Sequence, residues 1–224
     1  MNVLIVYAHH EPSSFTAAMK NLAAEVLTRQ GHAVTISDLY GLGFNPTAQK
    51  WDFVTTSGGH FNYMMEQRHA VQLNNAFSPD IAAEISKIQA ADFIIIVTPL
   101  WWHSVPAILK GWFDRVLAMG FAWNSGQFYE QGLLRGKQVM LACAVGHPTE
   151  YYQPAGQHKA TISQFLHPIT YGTLAFCGLN VHEPFTATNV LGMDDAAREA
   201  ALQEFSFRIE HFLDSPNWLY HYSA

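Results

Sequence analysis

Residues 94–117 read IIIVTPLWWHSVPAILKGWFDRVL and carry the clearest strand–loop–helix pattern in the chain. The four consecutive branched apolar residues predict a strand that is buried on both faces, and the amphipathic residues 107–117 predict a helix. The loop between them carries two tryptophans, a histidine and two prolines. In an open parallel sheet, ligands bind in the crevice outside the carboxyl ends of the strands. We therefore expect this loop to form one wall of a site for a flat, aromatic cofactor.

The composition predicts one globular domain and argues against one class of partner. The chain has 224 residues, of which 49% are hydrophobic and 13% aromatic, so it can bury a large core and disorder is not expected. The formal net charge is -6, and only 12 lysines and arginines are present, which argues against a nucleic-acid partner. We expect a single domain over residues 1–224.

The two cysteines and the N-terminus indicate the compartment. Cys143 and Cys177 lie in apolar runs, which predicts reduced core thiols rather than a disulfide. The N-terminus enters a strand pattern directly and lacks the basic region of a signal peptide. No apolar run approaches the roughly 18 residues that span a bilayer, so stable membrane insertion is not expected. These features favour a cytoplasmic protein.

Strand and helix patterns alternate along the chain. The predicted strands cover residues 3–8, 33–38, 92–98, 137–144 and 180–186. Predicted helices begin at residues 14 and 78 and cover residues 105–118, 161–176 and 194–213. Pro168 predicts a start or a kink in the fourth of these helices. The pattern predicts an α/β fold of flavodoxin type: a doubly wound five-stranded parallel sheet of order 2-1-3-4-5 in three α/β/α layers.

Residues 40–77 interrupt the alternation with an irregular, aromatic pattern that is broken by four glycines and Pro46. An excursion of this length exceeds an ordinary loop and usually serves a function. We expect it to line a dimer interface.

The loop after the first strand, residues 9–16, reads HHEPSSFT and leads into a helix. Backbone N–H groups at the start of a helix, together with three hydroxyl side chains, suit an anion. Two interpretations stay open at this point, a phosphate site and a plain helix cap. The sequence contains no GxGxxG motif, so it does not predict a dinucleotide site of the usual Rossmann kind.

The loop after the fourth strand, residues 145–158, carries further candidate groups. Gly146 allows the backbone to approach a ligand closely. Tyr152 and His158 could donate hydrogen bonds to a developing anion, although isolated Tyr and His residues in loops are more often solvated. The chain has 12 histidines, but the sequence lacks the closely spaced ligand pairs of a metal site, so no metal is predicted.

Several segments carry a family resemblance over nearly the whole chain, from Leu4 to about Leu219. The most specific is residues 105–116, VPAILKGWFDRV. The others are Ala8-His9, Ser14-Phe15, Ser37-Asp38-Leu39-Tyr40, Phe44-Asn45-Pro46, Ser78-Pro79-Asp80-Ile81, Pro99-Leu100, Tyr152 with Gly156 and His158, and Phe176-Cys177-Gly178. Together they resemble the NAD(P)H:quinone oxidoreductase (DT-diaphorase) family of flavodoxin-like flavoproteins.

The resemblance implies a bound FAD, with FMN as the second choice, and NAD(P)H as co-substrate. It places the pyrophosphate near His9, Ser14, Phe15, Thr16 and Ala18. It places the isoalloxazine against Pro99, Leu100, Trp101, Trp102, His103, Ala144, Val145 and Gly146. Arg198 resembles the arginine that reaches the dinucleotide part of FAD.

The implied reaction is a two-electron reduction of a small quinone-like acceptor by NAD(P)H, with ping-pong hydride transfer through flavin N5. The family's equivalents of Tyr152 and His158 are catalytic and stabilise the anionic N1–C2=O edge of the reduced flavin. Family members are homodimers whose sites draw on both subunits. Two alternatives stay open: a flavin-binding regulatory subunit of a membrane potassium efflux system, and an electron carrier like flavodoxin.

The expected substrate pocket departs from the family's usual pattern. It comprises Trp102, His103, Trp123 and Ser125. His103 and Ser125 stand where aromatic residues are common, and Trp123 replaces a tyrosine. We therefore expect a more polar wall, which leaves the preferred acceptor open. Because few residues follow Trp218, we expect the chain to lack the longer C-terminal extension of the animal enzymes, which leaves the choices of FAD or FMN and of NADH or NADPH open.

Overall fold

The fold is organised around a parallel sheet. A computed structural model of the protein describes residues 1–212. The strands are β1 (Asn2–Tyr7), β2 (Ala33–Asp38), β3 (Phe93–Pro99), β4 (Gln138–Ala144), β5 (Asn180–Val181) and β6 (Phe185–Ala187). Their order is β2-β1-β3-β4-β5, with β6 also paired to β4, and every pair is parallel. The predicted doubly wound sheet of order 2-1-3-4-5 is confirmed.

Helices cover both faces of this sheet. They are α1 (Phe15–Arg29), α2 (Tyr63–Gln72), α3 (Pro79–Ala90), α4 (Ala107–Val116), α5 (Ile162–Ile169) and α6 (Asp195–Glu210). Successive strand residues point to opposite faces, so the apolar strands supply two cores. Val3 and Ile5 of β1 pack with α1 and α6 on one face. Leu4 and Val6 pack with α3, α4 and α5 on the other, which gives the predicted three layers.

The predicted fifth strand, residues 180–186, divides into two short strands. β5 pairs with the start of β4, through Gln138 and Val139, and β6 pairs with its end, Ala142–Ala144. Pro184 lies between them and has no N–H to donate to the ladder. The prediction of one continuous strand was therefore wrong, although both pieces lie at the expected edge of the sheet.

The predicted helix at residues 161–176 is also interrupted. α5 ends at Ile169, a π-helical turn follows over Thr170–Leu174, and a 3₁₀ turn covers Ala175–Cys177. Pro168 lies inside α5 and cannot donate a backbone hydrogen bond, which favours the irregular geometry that follows it. The predicted end of the last helix at Leu213, and the family resemblance as far as Trp218 and Leu219, lie outside the described residues.

The excursion at residues 40–77 is more ordered than its sequence pattern suggests. It contains a 3₁₀ turn, Lys50–Asp52, and the whole of α2. The buried side chains of α2 include Glu66 and Gln67, so the helix lacks the apolar stripe that reveals a helix in a sequence. Gln67 receives a hydrogen bond from the Met119 backbone and donates to the carbonyl of Asp114, and polar contacts therefore hold α2 in place.

A buried ion-pair network fastens this excursion to α4. The Arg115 side chain, 2% exposed, donates to both carboxylate oxygens of Asp52 at 2.8 and 3.1 Å. It also reaches Asp80 and the carbonyl of Asn45, both at 2.7 Å. The Tyr63 hydroxyl donates to Asp52 at 2.6 Å, and burial raises the pKa of that phenol. Every charge in this network has a partner, as burial of charge requires.

The cysteines are free thiols in the core, as predicted. Cys143 and Cys177 are both buried and unbonded. Burial raises the pKa of each thiol to about 12, so neither is a reactive thiolate at neutral pH. Among residues 1–212, no helix combines the length and the apolar character needed to cross a bilayer.

Candidate functional site

A cavity of about 560 Å³ opens at the carboxyl edge of the sheet. It lies where the loops after β1, β3 and β4 meet the loop after β6 and the first turns of α6. Doubly wound sheets bind ligands at this position. Its lining residues are His9, Ser13, Ser14, Phe15, Thr16, Pro99, Leu100, Trp101, Trp102, His103, Ala144, Gly146, His147, Tyr152, His158, Val190, Leu191 and Arg198.

One wall is the N-terminus of α1. Ser14 caps this helix, since its Oγ accepts from the Ala17 N–H at 3.1 Å. Phe15 and Thr16 form the first turn, where backbone N–H groups have no carbonyl partner within the helix. These N–H groups and the hydroxyls of Ser14 and Thr16 provide donors for an anion at the positive end of the helix dipole. Ser14 therefore serves as a cap and also lines the cavity.

The imidazole of His9 stands beside this helix end in a defined tautomer. Its Nδ1 accepts a hydrogen bond from the Glu11 backbone N–H at 3.0 Å. A neutral His9 therefore carries its proton on Nε2 and can donate from that atom. Burial and the neighbouring His10 lower the pKa of His9, which favours this neutral form. The Glu11 carboxylate is turned away to Ser13, whose N–H and hydroxyl it accepts at 2.9 and 2.7 Å.

The loop after β3 forms a tight two-residue hairpin. Trp101 and Ser104 exchange backbone hydrogen bonds at 2.9 and 3.0 Å. The two residues between them, Trp102 and His103, have φ of 51° and 58°, a left-handed conformation that usually selects Gly, Asn or Asp. Trp102 is 97% exposed, whereas Trp101 packs edge-on against His9 at 5.7 Å. Backbone strain of this kind is often found at functional sites.

A cluster of rings from different loops closes another wall. The Nε2 of His103 and the Nδ1 of His158 are hydrogen-bonded at 3.0 Å. The ring of His158 lies 4.6 Å from Tyr152 and 5.8 Å from His147, and His103 packs on Phe165 at 4.3 Å. Burial, followed by the charges of the two neighbouring imidazoles, lowers the pKa of His158. Burial also raises the pKa of the Tyr152 phenol, so both groups can donate hydrogen bonds as neutral species.

The far end of the cavity is built from the loop after β6 and the first turns of α6. A β-carbon at Gly146 would lie 3.2 Å from Leu191, so a glycine there leaves room for the loop. The N–H of Val190 donates to the carbonyl of Val145, which ties this loop to the end of β4. Arg198 donates to the Val190 carbonyl at 3.1 Å and places its guanidinium beside the cavity.

The donor set fits the flavin that the resemblance implies. The Nε2 atom of His158 is buried without a hydrogen-bond partner, which is unusual for a polar atom in a folded protein. A bound group that presents an acceptor to this edge of the ring would satisfy it. The lining residues supply an arginine, four histidines and a helix N-terminus but no carboxylate, so the cavity suits an anionic, ring-containing molecule. Within residues 1–212, no group of three or more His, Cys, Asp or Glu side chains is arranged to hold a metal ion.

The structure brings most of the predicted site residues together around this one cavity. The exceptions among the predicted cofactor contacts are Ala18 and Val145, which are not lining residues. Ala18 lies one turn into α1, and Val145 is buried, its backbone N–H donating to Ala187. The predicted pocket residues Trp123 and Ser125 line a second cavity, of about 310 Å³, with Asn62, Met64, Met65, Met119, Asn124, Gly126, Phe128 and Phe176.

Four lining residues were not among the predicted sites. Ser13 and His147 lie in the two loops predicted to carry candidate groups, residues 9–16 and 145–158, so their position in those loops was a usable signal. Val190 and Leu191 gave no such signal. They reach the cavity because the loop after β6 bonds back to the end of β4, a long-range contact that no local pattern encodes.

Comparisons with known proteins agree with this geometry. A family model described as the flavodoxin-like fold matches residues 1–209. The ribosyldihydronicotinamide dehydrogenase (quinone) of Homo sapiens is 45% identical over 184 residues, which are 81% of this chain and 79% of that protein. The NAD(P)H dehydrogenase (quinone) 1 of Rattus norvegicus is 39% identical over 209 residues, which are 92% of this chain and 76% of that protein.

Solved structures give the same picture. A protein from Klebsiella pneumoniae that carries the name quinone reductase superimposes with a TM-score of 0.91 at 33% identity. The match covers 97% of this chain and 86% of that protein. At 24% identity, the NAD(P)H:quinone oxidoreductase of Methanothermobacter marburgensis shares the fold, with a TM-score of 0.74.

Proposed function

This chain belongs to the flavodoxin-like family and, within it, to the NAD(P)H:quinone oxidoreductases, and on that premise we propose that it is a flavin-dependent enzyme that reduces quinone-like acceptors. One observation carries the proposal: the α1 N-terminus, the hairpin at Trp101–Ser104 (the tryptophan hairpin) and the Tyr152–His158 pair all line one cavity. The names of the reported relatives favour an enzyme over a regulatory subunit of an efflux system.

We infer that the cofactor is FAD. The N-terminus of α1, with Ser14 and Thr16, would hold phosphate oxygens, and Trp101 would lie against the ring system. The cavity extends beyond these residues to Arg198, whose positive charge suits the remaining dinucleotide part. When bound, the flavin supplies a ring that accepts a hydride from the reductant and passes it to the acceptor.

The chain's own residues supply positioning and electrostatic stabilisation. Tyr152 and His158 are placed by the turn at residues 149–158, in which the His158 N–H donates to the Tyr151 carbonyl at 3.0 Å. Both donate from neutral side chains toward the site where negative charge develops. The ring of Tyr152 lies 4.6 Å from the imidazole of His158, whose Nε2 atom is buried, and a hydrogen bond from a buried donor is stronger than one in water.

The reductant is proposed to be a dihydronicotinamide. NAD(P)H follows from the family, and the human relative's name specifies a ribosyldihydronicotinamide. If the nicotinamide stacked on the flavin beside Trp102, the proximity of the two rings would account for much of the acceleration of hydride transfer. The acceptor is proposed to be a quinone-like molecule, with His103 giving a more polar wall than an aromatic residue would.

The working form is proposed to be a homodimer in the cytoplasm. The second cavity is shallow and apolar, and Met64, Met65 and Phe128 beside it are exposed in the single chain. A contiguous apolar patch of this kind marks an interaction surface. Trp123 and Ser125 would then contribute to a site that a second copy completes. The two free, buried cysteines fit a reducing compartment.

The direct test is purification of the protein followed by identification of its bound flavin. We expect a visible flavin absorbance spectrum, release of FAD on denaturation, and turnover of menadione with NADH, NADPH or dihydronicotinamide riboside. Chromatography of the released cofactor distinguishes FAD from FMN, and the three reductants are compared at equal concentration. Protein that neither carries nor binds either flavin would refute the proposal.

A further inference from the structure

The hydrogen bond between His103 and His158 determines which nitrogen of His158 carries a proton. A neutral imidazole carries one N–H, and its other nitrogen is an acceptor. The 3.0 Å contact joins Nε2 of His103 to Nδ1 of His158, so one of these two atoms holds the shared proton. Which atom holds it decides whether the remaining nitrogen of His158, Nε2, is a donor or an acceptor.

The two arrangements differ in what they offer to a ligand. If His103 Nε2 carries the proton, His158 Nδ1 accepts it, and the neutral ring of His158 must carry its own proton on Nε2. If His158 Nδ1 carries the proton instead, its Nε2 has a lone pair and repels a developing anion. The protonation state of the buried, unpartnered Nε2 of His158 is thus determined by its hydrogen bond to His103.

We propose that His103 is a positioning residue that donates from Nε2 to His158 Nδ1 and thereby keeps His158 Nε2 protonated as a hydrogen-bond donor. The inference rests on the proposed function, because that function requires a donor at this edge of the ring. No bond is made or broken in this role. The neutral pair holds two N–H protons, one in the hydrogen bond and one on His158 Nε2.

The backbone supports this assignment of His103. The residue is held in the left-handed region, φ 58°, inside a hairpin closed by two backbone hydrogen bonds. A non-glycine residue there is costly, and such strain persists where the surroundings fix it and the side chain is needed. The ring is further fixed by Phe165, 4.3 Å away, so its Nε2 has little freedom to turn from His158.

The other neighbours of His158 do not compete for this role. The rings of His147 and Tyr151 lie 5.8 and 6.0 Å from the His158 imidazole, and the Tyr151 carbonyl accepts from the His158 backbone N–H rather than from its ring. Tyr152 also lies ring against ring, at 4.6 Å. Among the described residues, the side-chain hydrogen bond recorded for the His158 imidazole is the one to His103.

The test combines substitution with nitrogen NMR of the FAD-loaded protein. Histidine is labelled with ¹⁵N, and the signals of His158 are assigned by their loss in His158→Ala. Spectra are taken well above the ordinary histidine pKa, where the rings are neutral and the tautomer is read directly. His103→Phe keeps a packed ring but removes the donor, and His103→Gln restores an N–H near the position of Nε2. His147→Phe, which removes the other neighbouring imidazole, is the matched control.

We expect His158 in the native protein to show a protonated Nε2 and an unprotonated Nδ1. In His103→Phe the tautomers should mix, while His103→Gln and His147→Phe keep the native pattern. The rate of flavin reduction should fall in His103→Phe, by less than the about 10²–10³-fold expected when a donor is lost completely, and recover in His103→Gln. A protonated Nδ1 in the native protein, or an unchanged tautomer in His103→Phe, would overturn the proposal. Failure of the native protein to bind flavin or to be reduced would instead refute the proposed function, and the two failures are therefore distinct.

Discussion

At the scale of single residues, the site depends on where a few protons are held. His9 has its Nδ1 occupied by a backbone N–H, and His158 has its Nδ1 occupied by His103. In each neutral imidazole, the proton is then on the free Nε2, which acts as a hydrogen-bond donor in the cavity. Burial is the main cause of the lowered pKa of both rings. The lowered pKa favours the neutral imidazole, which donates one hydrogen bond, over the cation.

His158→Ala tests the role of this residue. We expect the rate of flavin reduction to fall by about 10²–10³-fold, because a preorganised donor to a developing charge is lost. Flavin binding should persist, since the α1 N-terminus and the tryptophan hairpin are untouched. Stopped-flow absorbance measures the reduction, and titration of the apoprotein with FAD measures the binding.

Gln157→Ala is the control for this experiment, because Gln157 is an exposed neighbour that does not line the cavity. It should leave the rate of reduction unchanged. An unaltered reductive half-reaction in His158→Ala would show that the imidazole takes no part in the chemistry.

Residue types and loop positions predicted much of the cavity from the sequence. His9, Ser14, Trp101, Tyr152 and His158 all line it. The His103–His158 hydrogen bond could not be predicted, since it joins loops 55 residues apart and depends on the left-handed turn. The family resemblance places Trp123 and Ser125 in the substrate pocket, and in the single chain they line the second cavity.

At the scale of elements, the excursion at residues 40–77 is held by buried charges rather than by an apolar stripe. Arg115 of α4 joins Asp52, Asp80 and the backbone of Asn45, which come from different parts of the chain. Gly111, one turn earlier, leaves the space in which the backbone of Pro46 lies against α4. The segment that diagnoses the family is therefore also the one that positions the excursion.

Arg115→Ala should lower the free energy of unfolding by about 3–5 kcal/mol, because it leaves the fully buried carboxylate of Asp52 without its cationic partner. Lys110→Ala, on the same helix, removes only an exposed ion pair with Asp114 and should cost about 1 kcal/mol or less. Chemical denaturation of both variants measures the difference. Equal destabilisation by the two substitutions would contradict the structural role of the network.

Elements were predictable where periodicity or capping was strong. The span of β2 was predicted to the residue, and Ser14 caps α1 as its position suggested. α2 was missed because its buried face is polar. The division of the fifth strand and the end of α5 both follow from prolines whose effect on hydrogen bonding depends on tertiary context.

At the scale of the whole molecule, a buried histidine links stability to pH. His182 is 2% exposed and contacts Gln138 at 2.6 Å, and burial, followed by the charge of Arg208, lowers its pKa. The unfolded chain therefore binds a proton more readily than the native protein. Its contribution to stability is complete above the ordinary histidine pKa of 6.5 and is lost as the pH falls through the lower native value.

We expect the free energy of unfolding to decrease between about pH 8 and pH 5, and His182→Gln to flatten this dependence. His60→Gln, which removes an exposed imidazole, is the control and should leave the slope unchanged. Denaturation curves at a series of pH values measure both slopes. A slope that is identical in the native protein and in His182→Gln would exclude His182 as a cause.

The proposed homodimer gives a further prediction at this scale. Met64, 50% exposed beside the second cavity, should be buried by the partner, so Met64→Glu should shift the protein toward monomer in sedimentation velocity. Phe207→Glu changes an equally apolar, exposed residue on α6, on the other face of the sheet, and should leave the dimer intact. A native protein that sediments as a monomer at micromolar concentration would contradict the proposal.

The proposed function requires that this cavity binds a flavin that mediates transfer of a hydride from a dihydronicotinamide to a quinone. Anaerobic stopped-flow absorbance of the FAD-loaded protein tests it most directly, with reductant and menadione mixed in successive steps. We predict that NADH, NADPH or dihydronicotinamide riboside bleaches the visible flavin absorbance, and that menadione then restores it at a rate sufficient for turnover. Flavin that stays oxidised with all three reductants, or that menadione fails to reoxidise, would contradict the proposed function.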